Sequence, residues 1–244
     1  MRQILLPGLS EIPEYRYECA DALEFSRTIP NESVKLVMTS PPYNIGESYE
    51  VRRDIQEYIA DFEPLIAELV RVLKNDGSIC WQVGNFVDEG EVFPLDIYFY
   101  PLFKSHGLKL RNRIIWHFGH GLHCSKDVWE MTIERLIDDW DAKVWDIPNV
   151  KNNHPEKLNH PCQYPVELAE RCILALTDKG DAVYDPFAGV GSTLIAALKN
   201  EREALGSEYV SEYVDIGMDR IESLKEGTLI TRPIYKEIYE PSWE

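Results

Sequence analysis

Two short stretches bring together residues able to do chemistry. In TSPPYN, Thr39 to Asn44, two prolines and a tyrosine follow the apolar run Val34 to Met38. Pro41 and Pro42 fix the local backbone and offer no amide donor, so the stretch is either a plain strand end or a rigid platform for something reactive. In VYDPFAGVGST, Asp185 closes an apolar run, and Gly189 and Gly191 stand where a helix opens at Ser192. Glycines at such a turn let a ligand approach the backbone, and the helix start supplies free amide donors. Glu208 follows at the tip of the next strand, 17 residues after Gly191, where an acidic side chain receives ribose hydroxyls in this topology. The turn is neither a dinucleotide GxGxxG nor a phosphate loop with GK[ST], so the ligand indicated is a nucleoside without phosphates. S-adenosylmethionine fits, its adenosine at Glu208 and its charged methionine end near Asp185.

These residues need a scaffold that carries them to one place. Val34 to Thr39 reads as a buried parallel strand. From Asp54 to Leu73, Ile55, Ile59, Phe62, Leu65, Ile66, Leu69, Val70 and Leu73 recur at helical spacing and predict one long helix, ended by Asn75-Asp76-Gly77. Ser78 to Val83 reads as a strand, Phe93 to Ser105 as a helix, and Leu110 to Phe118 as a further strand. Lys126 to Asn159 is polar, with one helix-like patch over Val128 to Ile137. Pro165 suits the first position of a helix running to Leu176. Strand Ala182 to Asp185, helix Ser192 to Lys199, strand Ala204 to Ser207 and helix Ser211 to Leu224 complete a βαβα unit. The alternation predicts an α/β fold, a mainly parallel central sheet flanked by helices on both faces. A chain of 244 residues with 44% apolar content suits a single domain spanning residues 1–244.

Composition narrows the class. The longest apolar runs are too short to cross a bilayer, and Met1 to Pro13 lacks the layout of a signal peptide, so a cytoplasmic protein with no membrane partner is expected. Five scattered cysteines without a CxxC pair speak against a disulfide framework and a thiolate zinc site. A net charge of -17 opposes phosphate binding on average. From Ile97 to Lys126, however, there is no acid, while Lys104, Lys109, Arg111, Arg113 and Lys126 are basic and four of the six histidines fall there. That is either a chance gap or a basic face for nucleic acid. Within it, His117, His120, His123 and Cys124 have spacing that could bind zinc, but contact with DNA is the favoured role, and no metal is expected. Trp129, Trp140 and Trp145 read as packing residues rather than base-stacking groups.

The two stretches together resemble the DNA amino-methyltransferases, in particular the group whose catalytic motif precedes the cofactor motif. TSPPY at Thr39 to Tyr43 is similar to the catalytic signature of that family, DPFAGVG at Asp185 to Gly191 to its cofactor motif, and GSEY at Gly206 to Tyr209 to its ribose-binding acid. HPCQYPVELAER at His160 to Arg171 resembles the segment that closes over the methionine moiety, and ECADAL at Glu18 to Leu23 the motif whose aspartate lies near the adenine. The resemblance implies a Rossmann-like S-adenosylmethionine-dependent methyltransferase fold. It implies cofactor contacts at Asp21, His160, Gln163, Asp185, Phe187, Gly189, Gly191, Ser192 and Glu208. Residues 119–159 would be a short target-recognition insertion; HGLHCSKDVWE is abrupt for that role, as in a minimal enzyme or a chain lacking a segment. Double-stranded DNA is the implied partner, through Lys109, Arg111, Arg113, His120, His123 and Lys126. A homodimer is implied as well, as is a cognate restriction endonuclease that shares the site without touching this chain.

The same resemblance assigns Ser40, Pro41, Pro42 and Tyr43 to catalysis, and the chemistry accounts for their types. An exocyclic base amine is a poor nucleophile because its lone pair is delocalised into the ring. Acceptors at Ser40 Oγ and the Pro41 carbonyl would hold the amine hydrogens while nitrogen moves toward tetrahedral geometry, and Tyr43 would stack on a base flipped out of the duplex. Serine at the first motif position accompanies cytosine N4 more than adenine N6, so cytosine N4 is the expected target. Rival expectations are an adenine-N6 enzyme, an RNA or protein-glutamine methyltransferase, and a non-catalytic nucleic-acid-binding module.

Overall fold

A computed structural model describes residues 12–46, 50–117, 144–151 and 154–232. Its centre is a five-stranded sheet of β1 (Tyr15–Cys19), β2 (Val34–Thr39), β3 (Leu73–Trp81), β8 (Ala182–Asp185) and β9 (Glu203–Glu208). The order is β1-β9-β8-β2-β3, and every pairing is parallel. Around it lie α1 (Ala22–Thr28), α2 (Ile55–Ala60), α3 (Glu63–Val72) and α4 (Leu95–Ser105), then α5 (Val166–Leu176), α6 (Ser192–Lys199) and α7 (Ser211–Lys225). Two small ladders complete the described elements: β4 (Asn85–Asp88) with β5 (Glu91–Pro94), and β6 (Ile115–His117) with β7 (Val144–Asp146).

The central strands divide their side chains between two apolar layers; in β2 strand alternation holds from Leu36 to Met38, and a register shift between Val34 and Leu36 sets those two on opposite faces. Leu36, Met38 and Val183 face the core formed with α5, α6 and α7, whereas Val34, Val37 and Tyr184 face the core formed with α1, α3 and α4. Helices cover both faces, as the sequence predicts. The fold sends β2 outward to β3 and β8 outward to β9, so the chain reverses direction between β2 and β8. A crevice at the carboxyl ends of such a pair is the general ligand site of open parallel sheets. Thr39 ends β2 and Asp185 ends β8, so the two chemical stretches emerge side by side.

Several boundaries differ from the expectations. The single helix over Asp54 to Leu73 is two helices, broken at Asp61 and Phe62. Pro64 is the cause: with no N–H it cannot bond back to Ala60. Asn75-Asp76-Gly77 does not end a helix but lies inside β3, where a Cβ on Gly77 would stand 2.8 Å from Leu73 Cγ. The chain from Asn85 to Pro94 is a β-hairpin that hydrophobic patterning does not reveal, turning through Glu89 and Gly90 at positive φ. The strand expected over Leu110 to Phe118 shrinks to Ile115–His117, and Leu110 and Ile114 are exposed. Pro165 caps α5 rather than starting it. The helix-like patch at Val128 to Ile137, together with Trp129 and Trp140, lies outside the described residues, while Trp145 is buried in the core as expected. Among the described residues, no helix is long and apolar enough to cross a membrane.

Candidate active site

A cleft of about 250 Å³ opens at the carboxyl edge of the sheet. Ser40, Pro41, Pro42 and Tyr43 line it, together with Phe187, Gly189, Ser192 and Glu208. Asp21, His160 and Gln163 also line it. Of the expected cofactor residues, Asp185 and Gly191 do not line the cleft. They act beneath it.

Asp185 is fully buried at the end of β8. Its carboxylate accepts from Thr39 Oγ1 at 2.6 Å, Tyr164 OH at 2.8 Å and the Phe187 amide at 3.0 Å. Burial pushes its pKa up, and these donors oppose that rise. The side chain thus ties β2, the segment before α5 and the glycine turn together. Gly191, at φ +78°, is the left-handed residue from which α6 starts. The Ser192 hydroxyl is engaged, donating to the Tyr164 carbonyl at 2.9 Å.

Arg220, from α7, reaches beneath the same turn, donating to the Val190 carbonyl at 2.6 Å and to Ser192 Oγ at 3.3 Å. Tyr17, from β1, donates to the Gly189 carbonyl. Sequence reasoning missed Thr39, Tyr164, Arg220 and Tyr17. A signal for Arg220 exists: Val214, Gly217, Arg220, Ile221 and Leu224 share one buried helical stripe, where an arginine is out of place unless it is bonded.

Glu208 faces the cleft from the tip of β9. Its two oxygens accept the Gly189 amide at 3.0 Å and the Val210 amide at 2.9 Å, while burial raises its pKa. Asp21 caps α1 by accepting from the Leu23 and Glu24 amides. Gln163 lines the cleft, but its amide is engaged with the Glu156 carbonyl and the Leu158 amide. Phe187 packs edge-on against Phe62 and Trp81.

His160 stands over Gly189, where a Cβ would lie 3.0 Å from His160 Nε2, and its ring meets Tyr213 at 4.5 Å. The Cys162 amide donates to Nδ1 at 3.2 Å, which leaves the proton on Nε2. Burial lowers the pKa of this ring to about 4. A depressed histidine pKa contributes stability above the free value of about 6.5 that is lost as pH falls toward the folded value. Between pH 7 and pH 5 the protein should lose on the order of 1–2 kcal/mol through His160, allowing for the partial water access of the ring. Urea unfolding at the two pH values should show this loss, and His160→Asn should flatten it.

The stretch from Ser40 to Tyr43 is equally well held. Ser40 Oγ lies 2.8 Å from Tyr43 OH, and Tyr43 OH donates to Gln82 Oε1 at 2.5 Å. The Tyr43 ring rests on Gly84, where a Cβ would stand 3.2 Å from Cε2. Tyr58 donates to the Pro42 carbonyl, whereas no donor among the described residues occupies the Pro41 carbonyl. Asn44, left-handed at φ 62° and buried, exchanges two hydrogen bonds with the Arg53 backbone and so turns the chain beyond Tyr43.

The expected basic face takes a different shape in space. Lys109 and Arg111 are exposed, but Arg113 pairs with Asp96 at 2.5 Å, His117 with Asp146 at 2.6 Å and His106 with Glu63 at 2.8 Å. Part of the gap in acids is closed by Asp96, which flanks it, and by Glu63 and Asp146, which the fold brings across. None of Lys109, Arg111 and Arg113 lines the cleft. His120, His123, Cys124 and Lys126 lie outside the described residues.

The cleft suits the expected cofactor. Among the described residues its lining includes the carboxylates of Asp21 and Glu208 and no lysine or arginine, which fits ribose hydroxyls and a cationic sulfonium and disfavours phosphates. Comparison with known proteins agrees. A family model described as DNA methylase matches residues 34–127 and 125–219. The type II methyltransferase M.BglII of Bacillus subtilis is 37% identical over 237 residues, 80% of this chain and 66% of that enzyme, so the chain spans just under two thirds of its length. The DNA adenine methyltransferase YhdJ of Escherichia coli K12 is 31% identical over 248 residues, 83% of this chain and 81% of that enzyme. The crystal structure of TTHA0409, a putative DNA modification methylase of Thermus thermophilus complexed with S-adenosylmethionine, superposes with a TM-score of 0.66 at 27% identity, covering 88% of this chain and 97% of that one. The family match spans most of the chain and agrees with a cleft built at the switch point of a parallel sheet: this chain belongs to the DNA methylase family, the S-adenosylmethionine-dependent N4/N6 amino-methyltransferases.

Proposed function

We propose that this chain methylates the exocyclic N4 of cytosine in double-stranded DNA, acting on a base flipped into the cleft. The observation that carries the reading is that Ser40, Pro41, Pro42 and Tyr43 line one cleft with Glu208 and Gly189 of the glycine turn. S-adenosylmethionine, when bound, supplies an electrophilic methyl group. The residues of the chain do the rest by positioning. Glu208 and Asp21 receive the nucleoside end; the turn held by Asp185 and Arg220 fixes its depth. Ser40 Oγ and the Pro41 carbonyl accept the amine hydrogens, freeing the nitrogen lone pair for in-line attack. Transfer of the methyl group would exchange its bond to sulfur for one to the amine nitrogen, and the surplus amine proton would be lost to water once the two acceptors release the product amine. The Tyr43 ring offsets part of the stacking that the flipped base loses.

Ser40 supports cytosine N4, because serine at this motif position accompanies that target more than adenine N6. Adenine N6 is the second reading, favoured by the 31% identity to a DNA adenine methyltransferase. A homodimer and a cognate restriction endonuclease sharing the recognition site belong to the same proposal, as does DNA contact by Lys109 and Arg111. The test is to incubate the protein with methyl-labelled S-adenosylmethionine and, separately, plasmid DNA, RNA and a cell protein extract. Label entering DNA alone is the expected result. Label in RNA or protein would favour the rival enzymes, and cofactor binding with no transfer the non-catalytic module.

A further inference from the structure

Serine at the head of the catalytic motif raises a problem that a carboxylate would not. A carboxylate can only accept hydrogen bonds, whereas a hydroxyl can also donate. If Ser40 aimed its own proton at the target amine, it would engage the lone pair that has to reach the methyl carbon. Something must turn that proton away. The surroundings of Tyr43 do so. The phenol has one proton, and Gln82 Oε1, which has none to return, accepts it at 2.5 Å. The 2.8 Å contact between Ser40 and Tyr43 is then left with one donor, the serine hydroxyl. Ser40 Oγ therefore turns its lone pairs toward the cleft that it lines.

Gln82 itself lies behind the cleft, just past β3, and its backbone amide donates to the Thr39 carbonyl at 2.9 Å. Main chain and side chain thus clamp the two ends of the catalytic motif from one residue. Burial pushes the Tyr43 pKa up to about 12, so the phenol keeps its proton at neutral pH.

Resting on the reading above, we propose that Gln82 is a positioning residue, which sets the direction of the chain Ser40 to Tyr43 to Gln82 and so makes Ser40 an obligate acceptor for the base amine. Gln82→Met removes the acceptor at similar length, leaving the phenol free to donate to Ser40 and the serine proton free to face the amine. At saturating plasmid DNA and S-adenosylmethionine, kcat should fall roughly tenfold, the worth of one hydrogen bond of this kind, while KM for DNA and Kd for the cofactor stay within about twofold. Gln82→Glu, which still presents an acceptor to the phenol, should recover most of the loss. The decisive arm is the double variant: in a Tyr43→Phe background, which already lacks the link, Gln82→Met should cost almost nothing further. Should Gln82→Met not fold, Tyr43→Phe alone must show the same loss in kcat at unchanged cofactor Kd. An undiminished kcat in Gln82→Met, or the full tenfold loss repeated in the Tyr43→Phe background, overturns the relay while leaving methyl transfer to DNA intact. A wild-type protein that methylates no DNA base overturns the underlying reading, and the relay with it.

Discussion

Tyr43→Ala should lower methyl transfer to DNA by about 100-fold and leave cofactor affinity within about threefold of wild type. Two losses combine. The ring is the platform proposed for the flipped base, and an aromatic platform is worth about 1–3 kcal/mol per stacked base. Its hydroxyl also holds Ser40 Oγ at 2.8 Å, so truncation releases the acceptor as well. Ser40→Ala removes the acceptor but keeps the platform, so a smaller loss, about tenfold or somewhat more, is expected. Both variants leave Glu208 and the glycine turn untouched, because these are held by Asp185, Tyr17 and Arg220 rather than by the catalytic motif. Single-turnover rates set beside calorimetric cofactor titrations separate the two effects. A Tyr43→Ala enzyme with a normal rate would remove the ring from the mechanism.

Asp185→Ala should do the reverse, weakening cofactor binding by at least about tenfold and destabilising the whole chain. Three donors converge on this buried carboxylate, and truncation leaves the Thr39 hydroxyl and the Phe187 amide unsatisfied, while the Tyr164 hydroxyl keeps only its contact with Thr193 Oγ1. Each buried neutral donor left without its acceptor costs about 1–3 kcal/mol. That is a large part of the stability of an ordinary domain. The affinity loss follows from the same geometry, since the Phe187 amide is the first donor of the turn that leads to Gly189. Asp185→Asn keeps an acceptor and should lose less of both. Urea unfolding and cofactor titration of the two variants give the ranking. Equal stability for Asp185→Ala and wild type would show that the network is not what fixes the turn.

The parts of this site that were legible in the sequence are those set by local chemistry. Val34 to Thr39 and Ala182 to Asp185 read correctly as strands because both faces are buried, leaving near-continuous apolar runs. The two motifs could be placed at strand ends from their prolines and glycines alone. The helix break at Pro64 was hidden by an apolar spacing that continues through it, and the hairpin over Asn85 to Pro94 by a lack of alternation. The network beneath the glycine turn escaped for another reason. Thr39 and Asp185 are 146 residues apart, and no spacing rule joins them until the sheet order sets β2 beside β8. The basic stretch shows the converse: Asp96, which flanks it, and Asp146 and Glu63, which the fold brings across, pair with Arg113, His117 and His106, while Lys109 and Arg111 stay exposed.

The most direct test is chemical identification of the product. Unmethylated plasmid DNA is incubated with the protein and S-adenosylmethionine, digested to nucleosides and separated by chromatography with mass detection. N4-methylcytosine is the expected new nucleoside, formed more slowly in the Ser40→Ala reaction and absent from a reaction without cofactor. N6-methyladenine as the product would contradict the assignment that rests on Ser40, and a digest with no modified base would contradict the account of the cleft as a DNA-methylating site.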